Sequence, residues 1–368
     1  MGHDKLRKFA ENETFACLLQ PSAQELLADG YFHLRDHPVK GRWSSFFASL
    51  PVAGSPRQNF ASLIPPTASQ RVPPVYEATG GHGFAGETGK PDSQEAKPII
   101  LELGCGKGEY TVALAERDPE RNYVGVDIKG ARLWKGAKYA TEHALPNVAF
   151  LRTRVEFITA FFAPGEVSEV WLTFSDPQYR SENSRLCSPL FLERYRSFMK
   201  PGGIVHLKTD SRFLHEYALA VCRANSLRIL AQTTDLYGME GADEAAAAVA
   251  QENRATLGIV RGRGPSSDGR GPAQPDVFKG ELPGGSAPSL PDEVRSVQTF
   301  YEQLFLEQGY PITYLSFVID HEGPYVSPRD PEEFDTKAWR AAEGPRLLFG
   351  HDSAETRRQK LRTEEESA

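Results

Sequence analysis

Between positions 99 and 237 the sequence alternates short apolar runs with segments of helical periodicity, and this alternation constrains the fold most strongly. One further helix and one further apolar run follow position 292. The seven predicted strands are Ile99–Leu103, Asn122–Asp127, Val148–Leu151, Glu169–Phe174, Ile204–Thr209, Arg228–Gln232 and Ile312–Val318. Apolar strands that alternate with helices are typical of a parallel sheet covered on both faces. The sequence therefore predicts an α/β fold with a doubly wound, mostly parallel, seven-stranded sheet.

Three stretches depart from this pattern, because Pro, Gly, Ser and charged residues crowd them and no period persists. Structureless loops longer than about 12–15 residues are uncommon in compact domains, so we interpret the stretches as disordered insertions and a mobile tail. The predicted division of the chain is a basic N-terminal leader (1–50), a low-complexity insertion (51–98), the main part of the core (99–237), a second low-complexity insertion (238–291), the last helix and strand of the core (292–320) and a mobile C-terminal tail (321–368).

The composition excludes several classes of protein. No run approaches the roughly 18–20 apolar residues that a membrane-spanning helix needs. The N-terminus lacks the apolar stretch of about 7–15 residues that defines a secretion signal. The 4 cysteines form no C-x-x-C pair and the 9 histidines lack metal-ligand spacing, so no metal site is expected. Few cysteines and no signal predict a cytoplasmic protein without a membrane partner.

The charge of the chain is uneven. The net charge of −7 argues against a protein that is basic throughout, as many nucleic-acid binders are. Residues 129–138 nevertheless contain four bases and no acid, and residues 180–200 contain five bases and two acids. The leader adds Lys5, Arg7, Lys8, Lys40 and Arg42. These runs permit a polyanionic partner, although a solvated helix face also explains either run taken alone.

The first predicted strand enters a glycine-rich loop, LELGCGKGEY, which starts at Leu101. Gly104, Gly106 and Gly108 allow tight turning and let a ligand approach the backbone above a helix N-terminus. A dinucleotide site requires G-x-G-x-x-G, whereas position 109 is Glu and the spacing here is G-x-G-x-G. This difference disfavours a nicotinamide-dependent dehydrogenase.

Two carboxylates frame the loop, since Glu102 opens it and Asp127 ends the next strand. Together with the glycine spacing, they resemble the S-adenosylmethionine site of the class I methyltransferases, whose Rossmann-like sheet matches the predicted fold. The resemblance implies that Asp127 accepts the ribose hydroxyls of the cofactor. It also implies that Glu102 lies near the positively charged amino acid end of the cofactor, and that Gly104, Gly106 and Gly108 bind the cofactor.

Three further motifs follow in order on the expected elements. They are Asp176-Pro177 with Arg180, Thr209-Asp210, and Thr299-x-Tyr301-Glu302 with Gly309. Together with the glycine loop and the opening KLRKFAENETF, these motifs resemble the bacterial tRNA (guanine-N7)-methyltransferases. The resemblance covers residues 2–50, 98–237 and 294–319.

This resemblance implies transfer of a methyl group from S-adenosylmethionine to N7 of the guanosine at conventional position 46, in the variable loop of tRNA. Asp176 is then the catalytic carboxylate and also a neighbour of the cofactor. Guanine N7 carries a free lone pair and has no proton to lose, so the reaction requires alignment rather than a strong base. The residues that the resemblance assigns to the substrate are Arg180, Asp210, Thr299 and Glu302.

The fourth-strand motif departs from the usual family pattern. Ser175 and Gln178 replace the Pro and Trp of Pro-Asp-Pro-Trp, and the dense basic run after them is reduced to Arg185, which we expect to contact phosphate or base. Arg154 stands where the family has an acid that meets the adenine, so we assign this position to the cofactor through its backbone only. Two alternatives stay open: a methyltransferase of this fold acting on another RNA, a protein or a small molecule, and a methyltransferase-like RNA-binding protein without activity. The oligomeric state is open between monomer and homodimer.

Overall fold

The computed structural model describes residues 2–27, 34–51, 97–238 and 290–343. The strands are β1 (Leu18–Leu19), β2 (Ile99–Leu103), β3 (Asn122–Asp127), β4 (Val148–Arg152), β5 (Val167–Thr173), β6 (Met199–Thr209), β7 (Ile229–Thr233) and β8 (Thr313–Val318). The helices are α1 (Gly2–Asn12), α2 (Ala23–Leu26), α3 (Trp43–Ala48), α4 (Glu109–Arg117), α5 (Gly130–Glu142), α6 (Pro189–Arg196), α7 (Arg212–Ala224), α8 (Asp292–Ser296), α9 (Phe300–Glu307) and α10 (Thr336–Glu343), with 3₁₀ helices at Val155–Ala160 and Glu182–Ser184. Most of the two predicted insertions, and residues 344–368 of the predicted tail, lie outside the described residues.

The strands form one eight-stranded sheet in the order β1-β4-β3-β2-β5-β6-β8-β7. Every neighbouring pair from β1 to β6 is parallel, and β8 runs antiparallel to both β6 and β7. The chain proceeds outwards from β2 to β4 and then places β5 on the other side of β2. This reversal creates a switch point between β2 and β5, and ligands bind outside the carboxyl ends of the strands at such points. The predicted doubly wound, mostly parallel fold of the class I methyltransferases is confirmed.

The leader is part of the folded core rather than a segment ahead of it. β1 pairs in parallel with β4, which makes the sheet eight-stranded where seven strands were predicted. α3 buries Trp43 and Phe46, and the ring of Trp43 stacks on Phe162 with 5.2 Å between centroids. The indole N–H of Trp43 donates to the backbone oxygen of Phe161 (2.9 Å). A helix this short shows no clear period, so the sequence did not indicate which surface it covers.

Residues 321–343 also differ from the predicted mobile tail, because they pack on α7. Tyr325 and Phe334 are buried, and the ring of Phe334 meets the rings of Phe213 and Tyr217 edge-on. α10 then lies against α7 as well. The two buried aromatic side chains are far apart in a charged, Pro-containing stretch, so no strand or helix period is visible there in the sequence.

Candidate functional site

The switch point brings two loops side by side at the carboxyl edge of the sheet. One loop follows β2 and contains the three predicted glycines, and the other follows β5 and contains Asp176. β2 and β5 are hydrogen-bonded neighbours, with Glu102 opposite Trp171 in the register. The two loops therefore border one crevice.

The backbone of the loop after β2 has a conformation that glycine adopts more readily than other residues. Gly104, Gly106 and Gly108 have φ values of +78°, +59° and +73°, all in the left-handed region. A Cβ at Gly108 would lie 2.5 Å from the ring of Phe150, so close packing also requires glycine at that position. A Cβ at Gly104 or Gly106 would meet no atom within 4 Å, so both residues border open space. A ligand can thus approach this backbone above the N-terminus of α4.

Asp127 ends β3 beside the glycine loop, and two backbone donors orient its carboxylate. The N–H of Gly106 donates to Oδ2 at 3.1 Å, and the N–H of Lys129 donates to Oδ1 at 2.7 Å. The side chain is largely buried. Because an ionised carboxylate offers about four lone-pair positions, both oxygens can still accept hydroxyl groups of a ligand.

Glu102 lies deeper, and two threonines surround its carboxylate. Thr111 donates to Oε2 through its backbone N–H (2.9 Å) and through its hydroxyl, and the hydroxyl of Thr173 donates to Oε1. Burial raises the pKa of Glu102 to about 7, and the hydrogen bonds oppose this rise only in part. A nearby cation would favour the ionised form of this carboxyl group.

Asp176 is exposed on the other side of the crevice. Its Oδ1 accepts a hydrogen bond from the N–H of Gln178 at 3.0 Å, as Asp residues in turns commonly do. Phe174 and Gln178 have φ values of +50° and +47°, which bulky residues adopt rarely. Backbone strain of this kind costs about 1–3 kcal/mol per residue and concentrates at functional sites. The N–H of Phe174 donates to the backbone oxygen of Lys208 (2.9 Å), which attaches the strained turn to β6.

The two arginines of the loop after β5 have different environments. Arg180 is exposed at a cavity of about 170 Å³ between this loop and the C-terminal segment. Arg185 is buried, and its guanidinium stacks over the rings of Tyr217 (4.2 Å) and Phe213 (4.7 Å). Arg185 therefore packs the loop onto α7 instead of presenting its charge at the surface, which corrects the phosphate or base contact expected of it.

Asp210 follows β6 at the same carboxyl edge and is partly exposed. The N-cap of α7 is the next residue, Ser211, whose hydroxyl accepts a hydrogen bond from the N–H of Leu214 at 3.1 Å. Ser211 rather than Asp210 thus performs the capping. The substrate contact assigned to Asp210 stays a prediction.

Thr299 and Glu302 form a capping box at the start of α9. The hydroxyl of Thr299 accepts a hydrogen bond from the N–H of Glu302 (3.2 Å), and the carboxylate of Glu302 accepts one from the N–H of Thr299 (3.3 Å). Glu302 is completely buried, pairs with the equally buried Lys208 (2.7 Å) and accepts a hydrogen bond from the hydroxyl of Tyr237 (2.6 Å). In this arrangement Glu302 has no surface with which to touch a guanosine directly, whereas Thr299 is partly exposed. The structure therefore gives Glu302 a supporting position beneath the start of α9.

Lys208 links the end of β6 to the segment before α9. Its ammonium group donates to the backbone oxygen of Val297 (2.9 Å) as well as pairing with Glu302. Burial lowers the pKa of Lys208, and the negative charge of Glu302 opposes this change. The pair therefore joins the end of β6 to the start of α9 on the candidate substrate side.

Arg154 is the N-cap residue of the 3₁₀ helix Val155–Ala160, and its side chain is exposed. The guanidinium lies 3.2 Å from the carboxylate of Glu156 and over the ring of Phe157. The proposed contact of this position with the cofactor through its backbone stays a prediction.

Sequence reasoning missed several residues that support these groups. Thr111 and Thr173 hold Glu102, and Lys208 pairs with Glu302. Glu343 at the end of α10 accepts hydrogen bonds from the hydroxyl of Tyr179 (3.1 Å) and the N–H of Phe213 (2.8 Å). A Thr-x-x-Glu sequence before an apolar run is a recognisable capping signal at position 299, whereas no local pattern indicates Glu343.

Two features are absent from the residues that the structure describes. No helix there is long and apolar enough to cross a membrane. No group of three or more His, Cys, Asp or Glu side chains in those ranges is arranged to hold a metal ion. Cys105, between two of the glycines, is buried, and burial raises the pKa of its thiol well above the usual value.

Comparison with known proteins identifies the relatives of this chain. Residues 96–256 match a family profile described as a putative methyltransferase. The chain is 37% identical over 318 residues to a tRNA (guanine-N(7)-)-methyltransferase of Christiangramia forsetii, a match that covers 86% of this chain and 98% of the relative. The corresponding protein of Bacteroides thetaiotaomicron is 40% identical over 238 residues, which cover 65% of this chain and 75% of the relative. A solved 16S rRNA methyltransferase is 19% identical to this chain, with a TM-score of 0.34 over 61% of this chain and 88% of that chain.

Proposed function

The chain belongs to the tRNA (guanine-N7)-methyltransferase family, and on this premise we propose that it transfers a methyl group from S-adenosylmethionine to N7 of guanosine 46 in the variable loop of tRNA. One observation carries the proposal for the site. The switch point of the sheet sets a glycine loop framed by Glu102 and Asp127 beside a strained turn that exposes Asp176. We propose that this activity is cytoplasmic, where tRNA and S-adenosylmethionine are both present.

Several features of the crevice fit S-adenosylmethionine. The open space beside Gly104 and Gly106 leaves room for it, and Asp127 retains lone pairs for two ribose hydroxyls. Glu102 is a carboxyl group whose ionised form a cationic ligand stabilises. We assign the remaining cofactor contacts to Gly108 and to the backbone of Arg154. When bound, S-adenosylmethionine supplies an activated methyl group on a positively charged sulfur.

The protein's main contribution is alignment. Because N7 has no proton to lose, no residue has to act as a strong base, and orienting two reactants is worth up to about 7–11 kcal/mol. Methylation leaves the guanine cationic, and a carboxylate directed at the base stabilises the charge that develops. Asp176 is proposed for this role, because it is an exposed carboxylate in the loop after β5, oriented by the N–H of Gln178.

The proposed substrate contacts lie around Asp176. Arg180 is exposed on the same loop, and Asp210 follows the neighbouring strand at the same edge. Thr299 is partly exposed at the start of α9. We propose that Glu302 acts on the substrate indirectly, because its buried carboxylate fixes the backbone N–H of Thr299.

A methyl-transfer assay tests the proposal. The purified chain is incubated with methyl-labelled S-adenosylmethionine and a tRNA transcript, and in parallel with a transcript in which adenosine replaces the variable-loop guanosine. Label is expected on the first transcript alone. Borohydride and aniline treatment should then cleave that RNA at the labelled position, because this chemistry acts at N7-methylguanosine.

Each other outcome assigns a different function. Equal label on both transcripts would show that the chain is a methyltransferase whose target is another nucleotide. Binding of S-adenosylmethionine and tRNA without transfer would support a non-catalytic RNA-binding protein. The Asp176→Asn variant is the matched control, because it keeps the size of the side chain and an oxygen that can accept the Gln178 hydrogen bond.

A further inference from the structure

Helices α1 and α5 lie side by side and form a cationic surface outside the crevice. Their sequences together contain six bases and three acids, a net charge of +3 in a chain whose net charge is −7. The six bases, which define what we call the α1–α5 surface, are Lys5, Arg7, Lys8, Arg132, Lys135 and Lys138. Lys8 and Lys138 are partly exposed, and the other four are exposed.

Three of these bases gather around one indole ring. The charged groups of Arg7, Lys8 and Lys138 lie 5.3, 5.0 and 5.1 Å from the ring centroid of Trp134. Glu11 accepts a hydrogen bond from the indole N–H (2.6 Å) and pairs with Arg7 (2.6 Å). Cations held this close repel one another, and a polyanion laid across them would relieve that repulsion.

The position of α1 is fixed by close packing at the mouth of the crevice. The side-chain amide of Asn12 donates to the backbone oxygen of Gly130 (2.9 Å), the first residue of α5. A Cβ at Gly130 would lie 3.0 Å from the ring of Phe9, and the guanidinium of Arg152 lies over the same ring at 5.1 Å. Arg152 ends β4 directly opposite Asp127 in the sheet register. The α1–α5 surface therefore begins at the cofactor side of the crevice and continues along α5.

The length of the surface fits a nucleic-acid backbone. A helix of 13 residues such as α5 is about 20 Å long, which is enough to span several successive phosphates of one nucleic-acid strand. The exposed bases Arg132 and Lys135 lie three residues apart along α5, so they face the same side of the helix. Of the acids, Glu142 lies 3.6 Å from Lys138, and Glu109 of α4 pairs with Lys135 (3.0 Å). The surplus of positive charge remains after these pairs are counted.

We propose that the α1–α5 surface binds the phosphate backbone of a helical arm of the tRNA while the variable loop occupies the crevice. This inference rests on the proposed function, because the same RNA must enter the crevice at which the surface begins. The charge of the surface matches a polyanion. The loop after β5 keeps Arg180 at the surface but buries Arg185. This loop therefore offers few cations to the RNA phosphates, and the α1–α5 surface supplies others.

The test compares two triple variants with the same change of charge. The first is Lys5→Gln/Arg132→Gln/Lys138→Gln, on the α1–α5 surface. The matched control removes three exposed bases near the opposite, amino edge of the sheet. The control substitutions are Lys200→Gln, Arg223→Gln and Arg228→Gln.

Binding of tRNA is measured over a range of salt concentrations, without S-adenosylmethionine. We expect the first variant to bind tRNA about 10–30-fold more weakly at low salt and to lose about 2–3 from the slope of log K against log salt. The control should stay within about twofold of the parent with an unchanged slope. A short RNA duplex without a variable loop should show the same difference between the variants, because only backbone phosphates are recognised. Equal affinities and slopes for the two variants, or no binding of tRNA by the parent chain, would overturn the proposal.

Two further measurements separate this inference from the proposed function. The affinity for S-adenosylmethionine should stay within about twofold in both variants, since none of the substituted side chains belongs to the proposed cofactor site. In the methyl-transfer assay the first variant should show a higher KM for tRNA with kcat retained. If the parent chain binds tRNA with the expected salt slope yet transfers no methyl group, the proposed function fails while the surface assignment stands. If the triple variant is unstable, the same measurements are made on the single variants Lys5→Gln, Arg132→Gln and Lys138→Gln.

Discussion

The two sides of the crevice are built in different ways. On the proposed cofactor side, Glu102 and Asp127 are buried, and each carboxylate already accepts hydrogen bonds on both oxygens. On the proposed substrate side, Asp176 is exposed and its Oδ1 accepts one backbone hydrogen bond. The first side is preorganised for a small ligand, whereas the second is left for a large substrate to complete. A site that must admit a folded RNA gains from this openness, because RNA brings its own shape and hydrogen-bonding groups.

The two sides also differ in how far apart their parts lie in the sequence. The cofactor side comes mainly from consecutive residues 102–130. The substrate side combines the loop after β5, the end of β6, the start of α9 and the last residue of α10. Two buried carboxylates, Glu302 and Glu343, join these distant pieces. The comparison predicts that damage to either carboxylate's contacts affects the substrate side and spares the cofactor side.

The largest effect is expected from Lys208→Met, because it leaves Glu302 buried without its cation. Removal of one partner of a buried ion pair costs about 3–5 kcal/mol of stability. The double variant Lys208→Met/Glu302→Leu should recover most of that loss, since both charges are then absent. Urea unfolding measures both values, and the folded fraction should keep its affinity for S-adenosylmethionine. An equally large loss in the double variant would show that the hydrogen bonds and packing of the two side chains, and not their charges, are responsible.

The next largest effect is expected from Asp176→Asn on catalysis. Loss of one electrostatic contact to the transition state commonly lowers kcat by about 10²–10³-fold. The affinity for S-adenosylmethionine should remain within about twofold, because Asp176 lies on the open side. Single-turnover methyl transfer and calorimetric binding give the two values. Loss of cofactor binding instead would move Asp176 to the cofactor side and break the comparison.

A smaller effect is expected from Glu343→Gln, which leaves one acceptor oxygen for the two donors Tyr179 and Phe213. Loosening of the loop that carries Asp176 should lower kcat/KM for tRNA about 5–10-fold with the cofactor affinity unchanged. Tyr179→Phe should have a similar effect. The double variant should be less than additive, because both changes remove the same contact. Fully additive effects would mean that Glu343 does not act through Tyr179.

An effect of similar size concerns pH on the proposed cofactor side. Burial raises the pKa of Glu102 to about 7, so the group is mostly protonated at pH 6 and ionised at pH 8. A cationic ligand prefers the ionised form, so the affinity for S-adenosylmethionine should rise by up to about tenfold between these pH values. Calorimetry with the parent chain and with Glu102→Gln checks this, and the variant should show a flatter profile.

The ligand-free protein should respond to pH in the opposite direction. A raised folded-state pKa means that the contribution of Glu102 to stability is full below the ordinary value of 4.5 and declines as the pH rises through about 7. Urea unfolding without ligand should therefore show a larger contribution from this group at pH 5 than at pH 8. A contribution that increases with pH would contradict the assigned shift.

Sequence patterns predicted the structural features that short stretches of the chain determine by themselves. The glycine loop, Asp127 at the end of β3 and the mostly parallel sheet were all visible in local periodicity and spacing, whereas the order of the strands was not. The burial of Glu302 was not, because Thr-x-x-Glu shows the capping box but cannot show that Lys208 lies beneath it. Arg185 looked like one of several surface bases until the aromatic faces of α7 were in place. Contacts between elements distant in the chain decide such cases, and single positions do not reveal them.

The place of β8 in the sheet has a consequence for how the chain is made. β8 is the last strand in the part of the chain that the structure describes, yet it lies between β6 and β7. On the ribosome, β7 therefore emerges before β8, the strand with which it pairs. Lys208 likewise has no Glu302 to pair with until translation has passed residue 302. A product terminated near residue 238 would contain the whole glycine loop but lack β8 and the carboxylate partner of Lys208. We expect such a product to be unstable, because the edge of β6 has no strand to pair with and the buried Lys208 lacks its carboxylate.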